Sequence, residues 1–302
     1  MSFIEEILDS LATQLPCGYH AVGPASTEPT ALATMALAAQ GRQAAAAKGL
    51  EWLASMQAAD GSIGPTATQS APGWPTSLAV LAAHFAMNSG GWLTTAAKQL
   101  DLDRAVAWIL QTRGEALPQT SELGHDTTLV GWPWVEDTHS WVEPTAMGVL
   151  ALKAVGRGGH PRVRDAVRLL FDRLLPDGGC NYGNTLVMGQ MLRPHLQSTG
   201  LAMLALAGEP DQTGRIATSL DYLARELSPR TAAASLAYGL MSLAAHERFP
   251  AIAHSWLEAA FRRTLGREPA PYRLALIALA AMGAESPLNV RSRTGNRAKV
   301  AV

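Results

Sequence analysis

Two kinds of hydrophobic pattern alternate along the chain. The first is an alanine-rich phrase, such as "EPTALATMALAA" and "EPTAMGVLALKAVG", which is apolar nearly all round. It occurs six times, starting at Glu28, Trp74, Glu143, Leu196, Thr231 and Pro271. Such a phrase predicts a helix that is buried on every side. Pro, Ser or Thr stands near the start of most copies, as is typical of a helix N-terminus.

The stretches between these phrases are amphipathic. In "LDRAVAWILQTR" and "RVRDAVRLLFDRLL", apolar residues recur at three and four positions with charged residues between them. This spacing predicts helices with one wet face. Buried and half-buried helices thus alternate in about six pairs, which can stack as an open solenoid or close into a ring. We predict an all-α fold, with a single domain over residues 1–284 and a basic, disordered tail over residues 285–302.

Composition narrows the function classes. Of the 302 residues, 48% are hydrophobic and 16% charged, and the net charge of -1 gives no general attraction to nucleic acid. Cys17 and Cys180 lie too far apart in the chain to suggest a paired metal motif or a disulfide framework. The acidic start and the absence of a long apolar run predict a cytoplasmic protein without a membrane span. Peripheral contact with the inner face of a membrane stays open.

Two connections between the predicted helices are much longer than the others. They cover residues 113–139 and 176–194, and both carry Trp, Tyr, His or Cys residues. Long connections in a compact domain are usually functional or disordered, and aromatic residues argue against disorder. These connections are therefore candidates for a functional site.

The turn-forming segments resemble a known family. "WLASMQAADGSIG" is similar to the Gln-Trp repeat of squalene and oxidosqualene cyclases, and "LLPDGGCNYGN" is a weaker copy with Cys180 where the family often has Trp. The family includes the β-subunits of protein prenyltransferases. The resemblance covers roughly residues 20–283. It implies an α/α toroid, in which outer amphipathic helices surround inner apolar helices and an apolar central cavity holds an isoprenoid.

The chain departs from the family at the motifs that carry activity. "WVEPTA" is the best match to the cyclases' acidic motif, with Glu143 at the proton-donor position and Pro144 in place of the last Asp. The cyclases use two toroids, whereas this chain has residues for one. The prenyltransferases' Asp-x-Cys and His zinc ligands do not carry over directly, because here Asp177 and Cys180 are separated by two residues before His195.

The resemblance and the aromatic cluster give a specific site hypothesis. The catalytic residues are Glu143 as the acid, tuned by Asp137 and His139. The substrate-binding residues are Trp132, Trp134, Trp141, Tyr182 and His195. The N-termini of the buried helices give the toroid mouth a positive potential that suits an anion. In the structural alternative, Glu143 only starts a helix, as the matching Glu28 does, and the tryptophans wedge between hairpins.

These residues lead to three functional hypotheses. The first is a terpene cyclase-like protein, an isomerase that binds an isoprenoid or another apolar small molecule and cyclises it without a metal or any other cofactor. The second is a prenyltransferase-like enzyme with metal and diphosphate near Asp177, Cys180 and His195. The third is a non-enzymatic interaction module that needs a second toroid chain or forms a homodimer. The sequence leaves open whether the protein is an enzyme.

Overall fold

The computed structural model describes residues 2–119 and 122–290. Within these residues there are 13 α-helices, one short 3₁₀ helix at Gly283–Glu285 and one two-stranded hairpin. The hairpin pairs β1 (Leu186–Val187) with β2 (Gln190–Met191) in the long connection before the fourth buried helix. The all-α prediction is confirmed, with this hairpin as a small addition.

Six apolar helices form an inner ring. They are α2 (Thr27–Ala39), α4 (Thr76–Met87), α7 (Val142–Ala154), α9 (Leu196–Ala205), α11 (Ala233–Ala245) and α13 (Pro271–Ala281). Each inner helix packs against the next one in the chain, and α13 packs against α2. The predicted repeats therefore close into a ring, an α/α toroid.

The amphipathic helices lie outside this ring. They are α1 (Phe3–Gln14), α3 (Gln43–Ser55), α6 (Leu102–Gln111), α8 (Pro161–Asp172), α10 (Arg215–Glu226) and α12 (Ala253–Leu265), with the short α5 (Trp92–Ala97) before α6. Helices α3, α6, α8, α10 and α12 each pack on the inner helix that precedes them, and α1 packs on α13. The sixth pair thus joins the two ends of the described chain.

A repeated hydrogen bond fixes the start of four inner helices. In each, a buried threonine hydroxyl in the first turn accepts a backbone N–H from the preceding turn, at 2.8–3.1 Å. We call these four threonines the clamp threonines. The pairs are Thr30 with Cys17, Thr76 with Ile63, Thr145 with Trp132, and Thr199 with Cys180. Cys17, Ile63, Trp132 and Cys180 therefore occupy corresponding positions in the repeat.

The Gln-Trp-like segment links neighbouring repeats. The Gln57 side chain donates to the carbonyl of Asp101 and accepts its N–H, both at 2.9 Å, where α6 begins. Gly61 has φ +95°, and a Cβ there would lie 2.5 Å from the Arg104 backbone. Gly178, with φ +96°, makes the same close approach to α10. The motif that carries the family resemblance is therefore a structural joint.

The interior of the ring is filled. Residues 27–38 of α2 are all buried, and residues 274–280 of α13 have no accessible surface. A side chain without accessible surface borders no space large enough for water. Alanine lets these helices approach closely, and Leu and Met side chains fill what remains. The predicted lipid-sized central cavity is therefore absent between the described inner helices, and that expectation is corrected.

The C-terminal prediction is only partly covered by the structure. Residues 291–302 of the predicted basic tail lie outside the described residues. Leu288 and Val290, near the start of that tail, are buried against the ring. The domain boundary at residue 284 remains a prediction.

None of the described helices has the length and apolar character needed to cross a membrane.

Candidate active site at the mouth of the ring

The first turns of the inner helices meet at one end of the ring, which we call the mouth. The connections from outer to inner helices converge there, since Thr27 N–H donates to Pro65 at 2.9 Å and Val142 N–H donates to Tyr182 at 2.8 Å. Glu28 and Glu143 stand two residues before the clamp threonines of α2 and α7. The ring therefore brings both carboxyl groups to the mouth.

Glu28 is a buried acid at this end of α2. Its side chain is 7% exposed, and the Tyr19 hydroxyl donates to its Oε2 at 2.5 Å. Burial raises the pKa of Glu28 to about 7, against the lowering effect of the Tyr19 hydrogen bond, and the charge of Glu143 raises it further. At neutral pH a large fraction of Glu28 therefore keeps its proton.

Glu143 lies in a similar but distinct environment. It is 8% exposed, and the Ser198 hydroxyl donates to its Oε1 at 2.9 Å. Burial raises the pKa of Glu143, and hydrogen bonds from Ser198 and Gln197 oppose that increase. Asp137 and His139, predicted to tune this acid, do not contribute to the shift. Burial supplies the effect that the sequence analysis assigned to these neighbours.

Two further tyrosines complete the group around the acids. Tyr238 of α11 is 1% exposed, and Tyr272 comes from the first turn of α13. Burial raises the pKa of both hydroxyls well above 10, and the charges of Glu28 and Glu143 add to the effect. The rings of Tyr19 and Tyr272 are 5.2 Å apart. We call Glu28, Glu143, Tyr19, Tyr238 and Tyr272 the carboxyl–tyrosine cluster.

Pairs of aromatic rings border the mouth, and we call them the aromatic rim. Each lies next to the first turn of an inner helix. Ring centroids are 4.3–5.2 Å apart in the pairs Trp74–Trp134, His139–Trp141, Tyr182–His195 and Tyr19–Tyr272. The structure thus places the predicted residues Trp134, His139, Trp141, Tyr182 and His195 in this rim.

Two predicted site residues lie elsewhere. Trp132 is buried in the wall, where its ring N–H donates to the Ile109 carbonyl at 2.7 Å and the Arg162 guanidinium lies 4.7 Å from its ring centroid. Asp137 is exposed, in a turn where its φ is +57°. The contacts of Trp132 fit the structural alternative, a wedge between hairpins.

Two residues considered for a metal site, Cys180 and His195, are neighbours, since the His195 N–H donates to the Cys180 carbonyl at 2.9 Å, but their side chains have different surroundings. Cys180 is buried beside a clamp threonine, and burial raises the pKa of its thiol to about 12. Asp177 is exposed, and His195 stacks on Tyr182 in the rim. Among the described residues, no three His, Cys, Asp or Glu side chains are grouped so that they could hold a metal ion.

The sequence analysis missed four members of the carboxyl–tyrosine cluster. Glu28 was considered only as a structural counterpart of Glu143, and Tyr19, Tyr238 and Tyr272 were not singled out. A signal for Glu28 was present, because "EPTA" occurs at both positions. In a closed ring of equivalent helices, identical helix starts place their side chains at the same end.

Comparison with known proteins supports the fold. No protein-family model matches the sequence, and no curated protein sequence matches it. The structure is similar to the crystal structure of a mutant reducing-end-xylose-releasing exo-oligoxylanase, with a TM-score of 0.56 and 12% identity. The similarity covers 94% of this chain and 93% of the other. At this identity the likeness shows the toroid fold and assigns no family.

Proposed function

We propose that the protein is an acid–base enzyme whose active site is the mouth, with Glu28 and Glu143 as the proton-transfer pair. The observation that carries this proposal is the burial of two carboxyl groups at the same end of the ring, which raises the pKa of both. A carboxylate that only stabilises a helix N-terminus favours its ionised form. Here side chains, not helix N–H groups, are the hydrogen-bond donors to both acids.

The environments of the two acids assign different roles to them. The charge of Glu143 raises the pKa of Glu28. The favoured state of the pair is therefore the one in which Glu143 is ionised and Glu28 is protonated. Two carboxyl groups in different protonation states are the pattern of general acid and general base. We therefore assign Glu28 as the proton donor and Glu143 as the base or nucleophile.

The reaction that fits this pair is cleavage of a glycoside-type bond. In that step Glu28 protonates the leaving oxygen as the bond between this oxygen and the anomeric carbon breaks. Water then supplies a hydroxyl group to the carbon and a proton to the pair. An acid with pKa about 7 suits this transfer, because about half of it is still protonated at pH 7.

Two further observations support a polar, ring-shaped substrate. The aromatic rim offers flat faces at the mouth, where a sugar ring can pack. The solved structure with the similar toroid is that of an enzyme named for releasing xylose. That likeness raises the expectation for a glycoside but does not carry it, since the identity is 12%.

Acid-initiated cyclisation of an isoprenoid remains the alternative. The aromatic rim favours it, because indole and phenol rings stabilise cations. Two features argue against it. The filled ring leaves no lipid-sized space between the described inner helices, and protonation of an alkene needs a stronger acid than one with pKa about 7.

A substrate panel tests the proposal. Wild type, Glu28→Gln and Glu143→Gln are assayed on chromogenic aryl glycosides and, in parallel, on squalene and linear isoprenoid alcohols. We expect cleavage of at least one glycoside, with kcat reduced about 100-fold or more in each variant. Glu136→Gln is the matched control, because Glu136 is an exposed acid beside the rim and its removal should leave kcat unchanged. Turnover of an isoprenoid but of no glycoside would establish the alternative.

A further inference from the structure

A pocket rich in arginine lies on the outer side of the mouth. It has a volume of about 300 Å³ and is formed by the start of α11, the end of α12 and the start of α13. Its polar lining is Arg230, Arg263, Arg267, Arg273, Thr264 and Tyr272. We call it the arginine pocket. Alanines from α11 and α12 form the rest of its wall.

Only part of the positive charge of this pocket is balanced by the protein, since the carboxylate of Glu268 attracts Arg273. Among the described residues, no carboxylate forms an ion pair with Arg230, Arg267 or Arg273. The nearby Glu268 instead accepts the N–H of Ala21 at 2.8 Å and contacts His20 at 3.1 Å. Like charges that share a concave surface repel one another and attract anions.

One arginine supports the wall of the pocket. Arg263 donates to the backbone carbonyls of Pro229 and Thr231, in the connection before α11. These bonds hold the loop that carries Arg230. Both α11 and α13 begin in the wall, where their N-termini add partial positive charge, whereas the C-terminus of α12 in the same wall adds partial negative charge.

Tyr272 connects the arginine pocket to the proposed active site. It lines the pocket, and its ring centroid is 5.2 Å from that of Tyr19. The charges of Glu28 and Glu143 help to raise the pKa of its hydroxyl. Tyr272 therefore belongs both to the pocket wall and to the buried carboxyl–tyrosine cluster. A molecule held by both regions must extend from the mouth past this ring to the arginines.

We propose that the arginine pocket binds an oxyanion group, a carboxylate or a phosphate, on the substrate that the mouth processes. Guanidinium groups match both anions, because their planar donors form paired hydrogen bonds with two oxygens. The substrate is then an acidic glycoside, a uronic acid or a phosphorylated sugar. The proposal that the bound anion is part of a substrate rests on the proposed function. The proposal that the pocket binds an anion does not.

Direct titration tests the pocket without turnover. Sodium phosphate and sodium glucuronate are titrated into the full chain by calorimetry at low ionic strength. We expect saturable 1:1 binding of at least one probe, weakened roughly tenfold or more in Arg230→Gln and in Arg267→Gln. Both side chains belong to exposed residues, so these variants should fold. Arg168→Gln on α8 is the matched control for the loss of one charge and should bind like wild type.

The outcomes separate the pocket from the proposed reaction. Stronger binding of glucuronate indicates a carboxylate ligand, and stronger binding of phosphate indicates a phosphorylated one. Absence of binding for both probes, or equal weakening in Arg168→Gln, would overturn the proposal that the arginine pocket binds an anion. If Arg230→Gln and Arg267→Gln lose the anion but wild type cleaves no glycoside, the pocket stands and the proposed reaction fails. Equal cleavage of acidic glycosides by wild type and both variants would refute its role in substrate binding.

Discussion

At the scale of single residues, position in the repeat does not decide the chemistry of an acid. Glu28 and Glu143 have the same three following residues and the same place in the first turn of a helix. Their hydrogen-bond donors differ, since Tyr19 donates to Glu28, whereas Ser198 and Gln197 donate to Glu143. The difference in environment, and not in sequence, separates a proton donor from its partner.

The raised pKa of Glu28 predicts a pH-dependent loss of stability. An ordinary glutamate ionises near pH 4.5, whereas folded Glu28 ionises near pH 7. Between these values the folded chain holds a proton that the unfolded chain has lost, so the free energy of unfolding falls as pH rises. The loss is complete above about pH 7 and amounts to about 3 kcal/mol.

Urea denaturation from pH 4.5 to 8 measures this effect. The stability of Glu28→Gln, which has no ionisable group at this position, should rise relative to wild type by about 3 kcal/mol across that range. Glu136→Gln, which changes an exposed acid, controls for the loss of one charge. Stability curves of wild type and Glu28→Gln that run parallel would show that Glu28 is ionised normally.

At the scale of elements, the clamp threonines explain why the apolar phrases begin as they do. A β-branched residue is only a moderate helix former, yet Thr occupies this position in four inner helices. Its hydroxyl accepts a buried N–H that no helix or strand bond satisfies, as for Trp132 at 3.0 Å from Thr145. The phrase therefore encodes the joint between a turn and the next buried helix.

Removal of one clamp should be costly. In Thr145→Val the shape of the side chain is kept, but the buried N–H of Trp132 loses its acceptor. We expect the free energy of unfolding to fall by about 1–3 kcal/mol, as for other unsatisfied buried groups. Thr218→Val is the matched control, because that half-buried hydroxyl only donates to the carbonyl of Gly214, at the start of α10. Chemical denaturation compares the two, and an equal small loss would contradict the role of the clamp.

The same elements show how far the sequence could predict the site. The starts of α2 and α7 were readable from "EPTA", and so was the presence of carboxyl groups there. The burial of Glu28 was not, because it depends on the ring as a whole. The tyrosines around it, Tyr238 and Tyr272, come from α11 and α13, at the other end of the chain. Helix patterns carry no information about which distant side chains will meet.

At the scale of the whole molecule, the fold was predictable, but the close packing of side chains inside the ring was not. Repeats and the family resemblance predicted the toroid. The width of its interior depends on how closely the alanine-rich helices approach, which periodicity does not report. Residues such as Ala33, Met35 and Ala36 of α2 have no accessible surface. The chain therefore has the predicted ring without the predicted central cavity between its described inner helices.

The seam of the ring is completed by α1, which the sequence analysis did not assign to a helical pair. Ile7, Leu8 and Leu11 of α1 are buried, and α1 packs on α13. Ion pairs extend from α1 in both directions, to Arg42 before α3 and to Arg262 of α12. No local pattern could reveal this pair, because its partner lies at the far end of the chain. The direct packing of α13 on α2 closes the ring, and α1 completes the sixth helical pair at that seam.

A substitution in α1 should therefore affect the whole ring. Leu11 has no accessible surface, and Leu11→Ala should lower the free energy of unfolding by about 2–5 kcal/mol. In an open solenoid each repeat depends only on its neighbours, so a loss at one end stays local. In a closed ring, hydrogen exchange should accelerate in α7, across the ring, as much as in α13. Thr13→Ala, at an exposed position of the same helix, should leave exchange nearly unchanged. Acceleration confined to α1, α2 and α13 would show that the toroid unfolds from its seam.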